Sequence, residues 1–207
     1  MVTISRNLKS LVYLISPNKI YPKFYIELNK VLASKKVSFF QLRLKNKSSN
    51  EIYKIAKKIK VITQRYKVKL IINDNSLIAK KINADGCHLG QMDESVKSAR
   101  KNIKKNIIGV TCHNSKKLAK KALQDNADYI AFGSFYSSKL KPDAKKANLN
   151  VLKWSKKNIK KPIVVIGGIT DKNYKKLIGS GANYIAISTF IWNNPFLKPE
   201  IAIQKFV

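Results

Sequence analysis

Two aspartates are placed where they could hold a cation. Asp74 closes the stretch IIND (71–74) and Asp93 closes ADGCHLGQMD (84–93). If the apolar runs before them are neighbouring strands, two carboxylates meet at the strand ends. That suits Mg2+, which takes oxygen ligands and keeps waters and substrate phosphates in its remaining positions. Either residue could instead cap the segment that follows, Asp93 above all because Glu94-Ser95-Val96 comes next. Gln41, Arg43 and Lys45 alternate along one strand end and so share a face. Two cations on an inward face are costly in a dry core and sensible against a polyphosphate. In IGGIT (166–170) the Gly167-Gly168 pair lets backbone N–H groups approach an anion, and Ser188 and Thr189 in AIST (186–189) add hydroxyl donors. Read more plainly, Gly167-Gly168 is a tight turn into a capped helix. The two histidines, His88 and His113, come with no third residue that completes a triad. His88 reads as a structural residue. His113 and its neighbour Cys112 follow a strand, with no base placed to activate the thiol.

The elements that position these residues are legible from periodicity. Eight short apolar runs recur, at 11–15, 37–42, 68–72, 85–89, 106–110, 129–133, 162–166 and 184–188. Most are continuous rather than alternating, as parallel strands buried on both faces are. Segments with helical spacing lie between them, at 24–35, 51–66, 76–82, 94–103, 115–126, 148–159 and 170–181, with a last one at 195–206. Expected N-caps are Ser49-Asn50, Asp93 and Thr170-Asp171, with Asp74, Asn114 and Ser115 as further candidates. Strand and helix alternate eight times at about 25 residues per unit, so a single (β/α)8 TIM barrel over 1–207 is the natural closure. An open doubly wound sheet fits less well, because no G-x-G-x-x-G follows the first strand. In a barrel the site lies at the C-terminal strand ends. Gln41, Arg43, Lys45, Asn73, Asp74, Asp93, Thr111, Ser138, Lys141, Gly168, Ser188 and Thr189 all fall there.

Composition narrows the partners. The chain has 207 residues and a formal net charge of +31, from 42 basic and 11 acidic residues. Arg6, Arg43, Arg65 and Arg100 are the only arginines; the other basic residues are lysines. Such a charge invites a nucleic-acid reading. However, the lysines fill the polar gaps of helical stretches such as IYKIAKKIK (52–60) and SKKLAKKAL (115–123), the pattern of solvated helix faces. The arginine forks favoured for base readout are scarce. The lysine–isoleucine–asparagine excess is what codon bias in an AT-rich gene would produce. No nucleic-acid partner is expected, and the field should draw in small anions. Two cysteines, Cys87 and Cys112, make no disulfide framework. No apolar run approaches the roughly 20 residues that span a bilayer, and the N-terminal residues lack a signal-peptide core. The expectation is a cytoplasmic protein with no membrane partner. Barrels often pair, which leaves a homodimer open.

Seven motifs in order resemble the thiamine-phosphate synthase family of (β/α)8 barrels: QLRLK (41–45), IIND (71–74), ADGCHLGQMD (84–93), IGVTCH (108–113), ADYIAFGSFYSSKLK (127–141), PIVVIGGIT (162–170) and GANYIAIST (181–189). The resemblance implies a transferase that joins a pyrimidine methyl diphosphate to a thiazole phosphate, giving thiamine phosphate and pyrophosphate. It further implies that Gln41, Arg43, Lys45 and Asn73 contact the pyrimidine diphosphate, with Thr111 and Lys141 beside its diphosphate. Asp74 and Asp93 would hold Mg2+. Ser138, the backbone near Leu140, Gly168, Ser188 and Thr189 would take the thiazole phosphate. Arg43, Lys45 and Lys141 are the expected catalytic charges, stabilising the departing diphosphate. The chain departs from the family pattern at Ser138-Lys139-Leu140-Lys141, where Thr-x-Thr-Lys is common, and at Leu44, where glutamate is frequent. A sister branch, the thiazole tautomerases, shares the fold and phosphate cradle but lacks the paired carboxylates. A non-catalytic basic anion-binding module is the rival from outside enzymology.

Overall fold

A computed structural model describes residues 10–136 and 146–206. The strands are β1 (Val12–Ile15), β2 (Val37–Leu42), β3 (Lys69–Asn73), β4 (Gly86–Leu89), β5 (Ile107–Thr111), β6 (Tyr129–Gly133), β7 (Ile163–Ile166) and β8 (Tyr184–Ile187). They pair in parallel in chain order and close β8 onto β1, making an eight-stranded barrel. Between them run α1 (Phe24–Ala33), α2 (Ser49–Arg65), α3 (Ser76–Lys81), α4 (Val96–Ile103), α5 (Lys116–Gln124), α6 (Leu149–Asn158) and α7 (Tyr174–Gly179). After β8 come α8 (Thr189–Trp192), α9 (Pro199–Ala202) and a 3₁₀ turn at Ile203–Lys205. The expected alternation is therefore present.

The continuous apolar runs are explained by two packing layers. Inside the barrel, Tyr13, Ile15, Phe39, Ile71, Ile107, Tyr129, Ala131, Val164, Tyr184 and Ala186 form one cluster. Its aromatic rings interlock: Tyr13 stacks on Phe39 at 5.4 Å, and Phe39 meets Tyr184 edge-on at 5.0 Å. Glycine makes room for this. A Cβ on Gly109 would lie 1.8 Å from the ring of Tyr129, so β5 surrenders a side chain to let β6 insert a tyrosine. Outside, the other strand faces pack against the helices through residues such as Phe24, Leu28, Phe40, Ile59 and Leu152. On α2, Ala56, Ile59, Ile62 and Thr63 are buried while Lys54, Lys57 and Lys58 are exposed. On α5, Ala119 and Ala122 are buried beneath exposed Lys116, Lys117, Lys120 and Lys121. Lysines thus decorate the outer ring, as their spacing predicts.

The helix starts correct several expectations. Ser48, not Ser49-Asn50, caps α2, in a capping box with Glu51. Asn75, not Asp74, caps α3. Ser95, not Asp93, caps α4. Ser115 caps α5 as expected. The seventh helix begins at Tyr174 rather than near Thr170, and the last helical segment begins at Pro199 rather than near 195. The short α8 directly after β8 is an element that periodicity did not reveal, since four residues are too few to show a helical repeat.

Candidate active site

Because α3 and α4 are capped by their own neighbours, the side chains of Asp74 and Asp93 are released from the capping role that each could have filled. Asp74 sits at φ +62, a left-handed conformation, with its N–H donated to the His88 carbonyl at 2.8 Å. Asp93 accepts the Gly90 N–H at 2.6 Å. The two carboxyl groups lie close enough for Asp93 to raise the pKa of Asp74. Carboxylates in contact must share a proton or a cation. Burial, and then the facing Asp93, push Asp74 up to about 6, while Lys45 and Arg43 pull the other way. Among the described residues no group of three or more His, Cys, Asp or Glu is placed to hold a metal. The all-oxygen pair does fit a cation such as Mg2+, which commonly takes one or two carboxylates plus phosphates and waters.

The rest of the mouth is linked ligand by ligand. Gln41, buried and inward on β2, donates its Nε2 to Asn73 Oδ1 at 2.5 Å on β3. Arg43 and Lys45 lie just past the end of β2, so they share the rim rather than a strand face; Arg43 is half-buried and Lys45 exposed. Ser16, after β1, holds this turn: its Oγ accepts the Arg43 N–H at 2.9 Å and its N–H binds the Gln41 carbonyl. Ser188 Oγ donates to the Ser16 carbonyl at 3.1 Å, and exposed Thr189 opens α8. Thr111, half-buried at the end of β5, receives Gln91 Nε2 on its carbonyl at 2.5 Å, and its hydroxyl lies 2.7 Å from His88 Nε2. Gly167 and Gly168 adopt φ +107 and +59. A Cβ on Gly167 would strike Ser134 Oγ at 1.9 Å, so only glycine lets β7 turn against the end of β6. Asn173 fastens the loop, accepting the Thr170 N–H and donating to the Gly168 carbonyl. The glycine pair is thus set by Asn173 and stands several residues ahead of α7, not at its first turn. Ser138, Leu140 and Lys141 lie outside the described residues.

Ser16 and Asn173 escaped the sequence reading. A serine after a first strand carries no chemical signature of its own, and an asparagine before a helix looks like any other cap. Cys112 is buried, and burial pushes its thiol up to about 12, which leaves no reactive thiolate at neutral pH. His113 is exposed at φ +51 beyond β5.

This rim of phosphate-competent donors around a carboxylate pair can be set beside known proteins. The family described as Thiamine monophosphate synthase matches residues 12–191. The chain belongs to this family. It is 58% identical over 198 residues to a thiamine-phosphate synthase of Pelagibacter ubique, covering 95% of this chain and 96% of that one. It is 37% identical over 203 residues to a thiamine-phosphate synthase of Methanobrevibacter smithii, covering 97% of each. The solved thiamine phosphate pyrophosphorylase of Pyrococcus furiosus superposes with a TM-score of 0.85 at 26% identity, over 97% of this chain and 94% of that one. The fold, the family and its transferase class agree with the resemblance read from the seven motifs. Thiamine phosphate synthesis is accordingly the activity of this enzyme.

Proposed function

We propose that this enzyme condenses a pyrimidine methyl diphosphate with a thiazole phosphate, releasing pyrophosphate, and that it depends on Mg2+. The observation that carries the reading is the close pairing of Asp74 and Asp93, neither capping a helix, within electrostatic reach of Arg43 and Lys45. When bound there, Mg2+ would act as a Lewis acid toward the diphosphate oxygens. Gln41 and Asn73, already hydrogen-bonded to each other, offer their remaining amide groups to the pyrimidine. Arg43 and Lys45, with Lys141, stabilise the charge that grows on the diphosphate as its C–O bond to the pyrimidine methylene breaks. The thiazole nitrogen attacks that carbon, and no protein nucleophile is needed. The Gly167-Gly168 loop, Ser188, Thr189 and the 138–140 segment hold the thiazole phosphate, so orientation of two substrates supplies much of the rate. One barrel carries the whole activity, and its soluble phosphorylated substrates place it in the cytoplasm. Among the described residues no helix is long and apolar enough to cross a membrane.

The test is a coupled pyrophosphate assay with both substrates and Mg2+. Pyrophosphate release that stops with EDTA and returns with Mg2+ is expected. Isomerisation of the thiazole without pyrophosphate release would overturn the reading.

A further inference from the structure

A chain of buried polar groups runs up the inside of the barrel and ends at the mouth. Tyr13 on β1 and Tyr129 on β6 join hydroxyl to hydroxyl at 2.8 Å. Tyr129 also meets His88 Nδ1 at 2.8 Å, and His88 Nε2 meets Thr111 Oγ1 at 2.7 Å. Apolar side chains surround the lower part of this chain, which packing alone would not require to be polar. Gly109 gives up its side chain to admit the Tyr129 ring.

The chain has a direction. Among the described residues the Tyr13 hydroxyl has no partner other than Tyr129. Its proton must therefore go to the Tyr129 oxygen, or remain buried without an acceptor, which is costly. Tyr129 then spends its own proton on His88 Nδ1. A neutral imidazole accepting at Nδ1 carries its proton on Nε2, and that proton goes to Thr111 Oγ1. An imidazole that accepts at Nδ1 is neutral, because the imidazolium has no acceptor nitrogen. The reverse direction would turn the Thr111 proton inward and leave the Tyr13 proton stranded.

We propose that Tyr13, Tyr129 and His88 are positioning residues that lock Thr111 with its hydroxyl proton free to donate to the diphosphate of the substrate. This rests on the functional reading above. Because Thr111 no longer spends its proton on His88, it meets the anion as a donor already oriented. A hydroxyl free to rotate would present lone pairs part of the time, and those repel phosphate.

Two measurements test this. The first is the tautomer of His88 from imidazole 15N shifts at neutral pH, assigned with a His113→Gln variant. The Nε2–H form is expected, and the Nδ1–H form would overturn the proposal whatever the enzyme catalyses. The second is a double-mutant cycle. Thr111→Val and Tyr129→Phe should each lower kcat/KM for the pyrimidine diphosphate by about tenfold or more, the cost of one hydrogen bond to a charged group. KM for the thiazole phosphate should not move. Tyr129→Phe should cost nothing further in the Thr111→Val background, and Thr111→Ser should restore most of the loss. Additive losses, or equal effects on both substrates, would reduce Tyr129 to a packing residue. Should Tyr129→Phe fold poorly, Tyr13→Phe/Tyr129→Phe leaves no hydroxyl stranded and is read the same way. Wild type that releases no pyrophosphate defeats the functional reading; wild type that turns over with an unaffected Tyr129→Phe defeats only this proposal.

Discussion

At the N-terminal end of the barrel, Asp85, Asp128 and Asn183 stand one residue before β4, β6 and β8. Each takes a backbone N–H of the strand before: Asp85 from Leu70, Asp128 from Ile108 and Asn183 from Ile163, at 2.8–2.9 Å. Arg100 adds to this by binding Asp128 and the carbonyls of Lys104, Asn106 and Asn126. At the C-terminal mouth, Asp74 and Asp93 face each other, and Asp74 is held above its ordinary range. The short motifs look alike in the sequence, since AD or AN before a strand and ND or MD after one are each a small residue run ending in an acid or amide. What separates them is what each side chain faces: at the N-terminal end the backbone N–H of a neighbouring strand, at the mouth a second carboxylate. The first arrangement staples the barrel; the second costs stability unless something neutralises the pair.

The widest separation between the two ends should come from charge removal at the mouth. Asp74→Asn keeps the left-handed backbone, which asparagine tolerates, and removes one of two repelling carboxylates. Turnover should fall about a hundredfold or more, while the apo protein melts at the same temperature or higher. Near-full activity would show that Asp74 holds no catalytic metal.

Asp128→Ala should do the opposite. It strands the Ile108 N–H and deprives Arg100 of its carboxylate. Urea unfolding should show a loss of about 1–3 kcal/mol, with kcat of the folded enzyme intact. A drop in kcat without loss of stability would erase the distinction between the ends.

Acid probes the mouth from within. Unfolded, His88 takes a proton near 6.5; folded, only near 4. Between those values the unfolded chain binds more protons, so this residue makes stability fall as pH drops from about 6.5 to about 4. Asp74 acts in the opposite sense, because its folded form takes a proton near 6 and its unfolded form near 3.8. Denaturation at stepped pH should therefore show a flatter acid loss in His88→Gln than in wild type. Identical slopes would mean that the imidazole is not held neutral by burial.

How far the site could be read in advance depended on the kind of constraint. The β/α alternation was legible because buried strands and amphipathic helices write their periods directly into apolar spacing, as in 37–42 and 51–66. The rim positions of Gln41, Asn73, Asp74 and Thr111 were legible because each ends or follows an apolar run, and a parallel barrel turns all such ends to one side. The capping assignments slipped by a residue or two, Asp74 for Asn75 and Asp93 for Ser95, because a loop that ends in several capping residues does not say which one the backbone will use. The interior chain from Tyr13 to Thr111 was invisible: its members lie on β1, β6, β4 and β5, and only closure of the barrel brings them together.

The smallest effect separates the mouth from the outer ring. Lysines on α5 face solvent over buried Ala119 and Ala122. At physiological salt, charges beyond about 8 Å are largely screened, so their share in drawing in a diphosphate is slight. Changing Lys116, Lys117, Lys120 and Lys121 together to Gln should leave kcat/KM within about twofold at 150 mM salt. A modest loss should emerge only at low ionic strength, where long-range attraction speeds encounter. Lys45→Gln, one charge against four, should cost more under every condition if, as proposed, this lysine meets the diphosphate at short range. If the four outer substitutions matter more at 150 mM salt than the single one at the rim, the charge of +31 is part of the catalytic apparatus, and the division of lysines into decoration and site collapses.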